Sequence, residues 1–137
     1  MLLYGQLPPD DHPPRAEEQT DLPLGPDRAE RARVFVEDTL RDWGHGAVVD
    51  RAVLCTSELV TELAACDPDS VALVLRHDGD SVQVEVRLVG CDNRFHDLVT
   101  QQDTKRAASV EVIDRLATLW GVSPSGAGET IWFELTT

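Results

Sequence analysis

Basic residues are scarce in this chain: 12 Lys and Arg stand against 25 Asp and Glu, a formal net charge of −13. An anionic excess of that size repels phosphate backbones and anionic headgroups, which argues against direct nucleic-acid binding and against a membrane-surface role. Long hydrophobic runs are missing too. The apolar stretches are short and interrupted by charges, well under the roughly 20 residues a membrane helix needs. The N-terminus MLLYGQLPPDD has neither a basic n-region nor an extended apolar segment, so the expected compartment is the cytoplasm. Cysteine is sparse and unpatterned. Cys55, Cys66 and Cys91 are odd in number, lack CxxC spacing and have no tight histidine cluster beside them. That argues against a zinc site or a disulfide framework and predicts reduced, structural thiols. His12, His45, His77 and His96 are scattered and read as surface residues, none placed to form a hydrolase dyad with Ser57. There is no internal repeat.

What is present fits one domain, since 137 residues can bury a real core but not two independent ones. Six of the eight prolines fall between Pro8 and Pro26, in an otherwise polar and acidic stretch that buries too little surface to offset ordering. The expected organisation is a flexible acidic arm over residues 1–20 and a folded domain over 21–137, with Leu22-Pro23-Leu24 along a sheet edge, where proline is tolerated. Asp27 and Glu30 have the spacing of a capping box, and Ala32, Phe35, Val36, Leu40 and Trp43 then follow at helical period until Gly44 and Gly46. A second helix is predicted over 47–66, where Val49, Ala52, Val53, Leu59, Val60 and Leu63 share one face until Asp67-Pro68.

Val71 to Arg76 and Ser81 to Val89 flank His77-Asp78-Gly79-Asp80 and predict a hairpin with Val82, Val84, Val86 and Leu88 on its buried face. Residues 90–105 read as a long loop with a helical turn near Phe95 to Val99. Val110, Ile113, Leu116, Ala117 and Trp120 then define a third helix closed by Gly121, and Ile131, Phe133 and Leu135 mark a last strand after the turn SPSGAG. Such an order cannot alternate as βαβ units, so the fold class is α+β, with helices on one face of a mainly antiparallel sheet.

Within the second helix, SELVTELAAC sets Glu58 and Glu62 one turn apart beside the packing face, on a stripe with Cys55 and Cys66. Like charges at that spacing repel by about 0.2–0.5 kcal/mol when exposed, so the pair asks for a reason. ARVFVEDTLRDWG, SELVTELA, DGDSVQVEVR, VIDRLATLWGV and GAGETIWFEL, in that order, resemble the small bacterial ATP-binding proteins akin to anti-sigma-factor serine kinases, within the superfamily of histidine-kinase, gyrase and MutL-type (Bergerat) ATPase domains. The resemblance spans about residues 20–137. It implies a two-layer sandwich with three main helices on one face of a mixed, mainly antiparallel sheet, nucleotide between the layers, and a lid at residues 90–106.

The family block matching SELVTELA reads Glu-Leu-Val-Thr-Asn, with the Glu as catalytic base and the Asn as magnesium ligand; Glu58 matches the base and Glu62 replaces the Asn. An Asn offers a neutral acceptor and a donor, whereas Glu62 only accepts and adds negative charge near a triphosphate. The family's Asp-x-Gly-x-Gly box places its adenine-binding Asp at Leu88, which cannot accept a hydrogen bond, keeps its first glycine as Gly90 and loses its second near Asp92. The phosphate-facing glycines before the third helix become Ala107, Ala108 and Ser109, while Gly126, Gly128 and Thr130 match the last glycine-rich turn. By role, the base is present, the metal ligand is altered, the adenine acceptor is lost and the phosphate glycines are replaced.

The expected function is therefore that of a degenerate anti-sigma-kinase-like regulator, without ATP or metal, that binds a protein such as a sigma factor or an anti-sigma antagonist to control transcription, stress response or development. A second reading is an active ATP- and magnesium-dependent serine kinase with Glu58 as base and Glu62 on the metal. A third is a dimerising scaffold subunit whose contact aromatics are Trp43, Trp120 or Trp132. The acidic surface suits a basic partner.

Overall fold

The computed structural model describes residues 16–63, 66–91, 96, 108–125 and 128–136. The elements are β1 (Ala16–Asp21), α1 (Arg28–Asp42), a 3-10 turn (Gly46–Val48), α2 (Val49–Glu62), β2 (Ser70–Asp78), β3 (Ser81–Val89), α3 (Ala108–Leu116), β4 (Leu119–Ser125) and β5 (Gly128–Thr136). The fold is α+β: among the described residues, three helices and a five-stranded sheet in the order β1-β2-β3-β5-β4. Every pairing is antiparallel, so the sheet is not mixed among the described residues.

Alternation builds the core. Leu73, Leu75, Val82, Val84, Val86, Leu88, Ile131, Phe133 and Leu135 face the helices, and Ala32, Val36 and Leu40 of α1, Ala52, Leu59 and Val60 of α2 and Val110 and Ile113 of α3 complete one cluster. Burying each large aliphatic side chain contributes about 1.5–3 kcal/mol. α2 is central, packing against α1 on one side and α3 on the other.

Helix α1 ends as Gly44 predicts. Gly44 takes φ +82°, its N–H donates to Arg41 O, and the His45 N–H donates to Leu40 O, the two bonds of a Schellman motif. Its start differs from expectation: Asp27 occupies the cap position without a side-chain capping bond, and Arg28 N–H instead closes a turn onto Gly25 O. The β2–β3 hairpin turns on Gly79 (φ +63°) and Asp80, with Asp78 opposite Ser81.

Four further expectations are corrected. The edge strand is Ala16–Asp21, not Leu22-Pro23-Leu24, so the sheet reaches into the stretch assigned to the arm; its first 15 residues lie outside the described ones. The third helix stops at Leu116; Trp120 and Gly121 belong to β4, where Trp120 lies opposite Phe133 and its indole N–H donates to Asp114 Oδ1 at 3.0 Å. His45 is buried rather than superficial, 3.2 Å from the His77 ring, which also lies against Trp43. Finally, Cys66 and Cys91 form a disulfide with Cα atoms 6.1 Å apart, leaving Cys55 as the buried free thiol.

The outer face of the sheet sets charged and polar residues beside buried Val74 and Trp132. Arg76 pairs with Glu85 and Glu17, Arg87 donates to Glu85, and fully buried Trp132 stands beside Glu85 in register. Trp120 and Trp132 are thus closed to partners, and Trp43 is half-buried.

Candidate functional site

Glu58 and Glu62 project from the last two turns of α2, half-buried, while Leu59, Val60 and Leu63 between and after them anchor the helix in the core. The helix is amphipathic with a boundary, and the carboxylates sit on it. Cys55 is on the buried side of that boundary. Burial pushes its thiol up to about 12, and the nearby Glu58 carboxylate adds to this against the opposing effect of Arg51. Cys66 lies beyond the helix end rather than on a continued stripe.

The partner of Glu62 comes from α3. Ser109, 1% exposed in the first turn of that helix, donates its hydroxyl hydrogen to Glu62 Oε1 at 3.2 Å. The two positions that the resemblance assigns to the magnesium ligand and to a phosphate glycine are therefore bonded to each other. Ala107 and Gly126 lie outside the described residues, as does the expected lid apart from Gly90, Cys91 and His96.

Leu88 is 2% exposed and part of the core cluster, so its side chain is packing material, as its place in the Val82, Val84, Val86 series requires. Gly90 has φ +99°, and a Cβ on it would lie 2.7 Å from the Asp69 nitrogen, whose N–H donates to Val89 O at 2.7 Å. Gly128 is more constrained still, because a Cβ would fall 1.9 Å from the Leu88 carbonyl oxygen. Both glycines are explained by backbone approach within the sheet and at its edge. Thr130 shares the parity of Trp132, opposite to that of Ile131 and Phe133, and sits between Arg87 and Ser123 on the outer face. The structure does not bring it to the Glu58–Glu62 side.

One residue of this region escaped the sequence reading. Glu129 has the inward parity of Ile131, is 6% exposed, lies opposite Leu88, and accepts the His96 N–H at 3.0 Å. Period 2 along β5 was the signal that could have found it.

No protein-family model matches the chain, and comparison with curated proteins gives no match. Three of the positions that the resemblance assigns to a magnesium nucleotide are taken up within the fold itself. Leu88 provides no acceptor for an adenine amino group, Glu62 is engaged by Ser109, and Gly128 has no open space at its α-carbon.

Proposed function

We propose that this chain is a degenerate member of the histidine-kinase, gyrase and MutL-type ATPase superfamily, akin to anti-sigma-factor kinases, that acts by binding a protein rather than a nucleotide. The observation that carries the reading is the Ser109–Glu62 bond at 3.2 Å. At a working site those positions would face metal and phosphate; here they satisfy each other and tie α3 to α2. The helix pair is then a rigid recognition surface with Glu58 half-buried on it.

The partner class follows from charge. A net charge of −13 favours a basic protein surface, such as that of a sigma factor, or an anti-sigma antagonist presenting basic residues, in control of transcription, stress response or development. Electrostatic attraction of this kind weakens as salt shortens the Debye length from about 30 Å at 0.01 M to 3 Å at 1 M.

Calorimetry with ATP and with ADP, each with magnesium, tests the proposal on the purified protein, with Glu58→Ala as control. The expected result is no binding heat, together with recovery of a basic protein partner at low salt and its loss at high salt. Micromolar nucleotide binding would overturn the proposal in favour of an ATP-dependent serine kinase.

A further inference from the structure

The disulfide stands where two ends of the fold meet. Cys66 follows the turn that closes α2, its N–H donating to Leu63 O, and Cys91 follows Gly90 at the end of β3. The backbones there are already held together: Asp69 N–H donates to Val89 O, and Gly90 packs against Asp69 without room for a side chain. The two cysteines therefore stand on segments that backbone contacts hold side by side independently of the sulfur bridge. Both are half-buried, open enough for an attacking thiol, whereas Cys55 has no exposed surface. Four residues before Cys66 stands Glu62, bonded to Ser109 of α3.

We propose that Cys66 and Cys91 form a reversible thiol–disulfide pair that sets how firmly the end of α2 holds α3 through Glu62 and Ser109. In the forward direction, one cysteine thiolate attacks a low-molecular-weight disulfide RSSR, forming a mixed disulfide and releasing RS⁻. The second cysteine thiolate then attacks the protein sulfur of that mixed disulfide and expels the other RS⁻. The protein loses two electrons and two protons, and RSSR gains them to become two RSH. Excess RSH reverses both steps. Preorganised partners with partial exposure favour exchange, and both cysteines pack at the margin of the core rather than within it. The inference is independent of the proposed function, since it concerns the α2–α3 junction whatever that surface binds.

The test is a titration of the full chain with reduced and oxidised glutathione, without denaturant, read by iodoacetamide labelling and mass spectrometry. In parallel, amide hydrogen exchange is followed at Ala108–Leu116. Expected are two labelled thiols gained together, Cys66 and Cys91, with Cys55 unlabelled throughout, and exchange in α3 at least about threefold faster in the reduced protein. The double variant Cys66→Ser/Cys91→Ser is expected to show the faster exchange under both conditions, and reduced wild type serves if that variant folds poorly. A pair that stays wholly thiol or wholly disulfide across the titration, or α3 exchange that is the same in both states, overturns the proposal.

Discussion

The Ser109 hydroxyl donates to Glu62 at 3.2 Å, joining the first turn of α3 to the last turn of α2 across 47 positions of chain. Because Ser109 is buried, Ser109→Ala removes one donor to the carboxylate and is expected to cost about 1 kcal/mol. Glu62→Gln keeps an acceptor oxygen and is expected to cost less. Urea unfolding midpoints of the two variants check the order; a Ser109→Ala midpoint equal to wild type contradicts it.

Gly128 and Gly44 separate two reasons for glycine. Alanine at 128 would place a methyl 1.9 Å from the Leu88 carbonyl oxygen, so β3 and β5 must part; a loss above about 3 kcal/mol, or no folded protein, is expected. Alanine at 44 meets nothing within 4 Å but must adopt φ +82°, a penalty of about 1–2 kcal/mol. Thermal melts of the two variants should differ in that direction.

Leu88 offers a direct probe of the proposed absence of nucleotide binding. Leu88→Ala opens a cavity and should lower stability by about 2–5 kcal/mol. Leu88→Asp introduces the residue type of the proposed family but buries a carboxylate between Val71 and the buried Glu129, and is expected to be more damaging without producing ATP binding. Circular dichroism and calorimetry on both variants distinguish these outcomes from a rescued site.

The Cys55 thiol also carries a pH signature. Its value is raised from 9.0 to about 12 in the folded chain, chiefly by burial, so the native state retains a proton that the unfolded state releases. The associated stabilisation is whole below pH 9 and is lost as pH rises from 9 towards 12, by up to about 1.4 kcal/mol per unit. Stability measured from pH 8 to 11 should fall less steeply in Cys55→Ala than in wild type.

Much of the fold was legible because it is periodic. Ala32, Val36 and Leu40 recur at helical spacing, and Val82, Val84, Val86 and Leu88 at strand spacing, so burial follows from local order. Trp120 was misplaced because IDRLATLW keeps a helical rhythm past Leu116 with no proline or glycine to mark the stop. What ends α3 is a distant bond, the Thr118 N–H donating to Glu134 O. The same holds at the candidate site. Leu88 as core was visible in its own strand, but the Glu62–Ser109 bond and the Cys66–Cys91 pairing arise where separate elements meet, and no spacing in the sequence encodes either. The pairing also reverses the expectation of three reduced thiols.

The two outermost described strands have a consequence for self-association. β1 is AEEQTD, carrying Glu17 and Glu18, and the opposite margin, β4, contains Pro124, which has no N–H to donate. A second copy approaching along β1 would set carboxylates against carboxylates, and one approaching along β4 would find an interrupted row of donors. Strand-by-strand growth into fibres or continuous sheets is thereby discouraged at both ends. With Glu17 already paired to Arg76, Glu18 is the carboxylate that a chain adding to β1 would meet first.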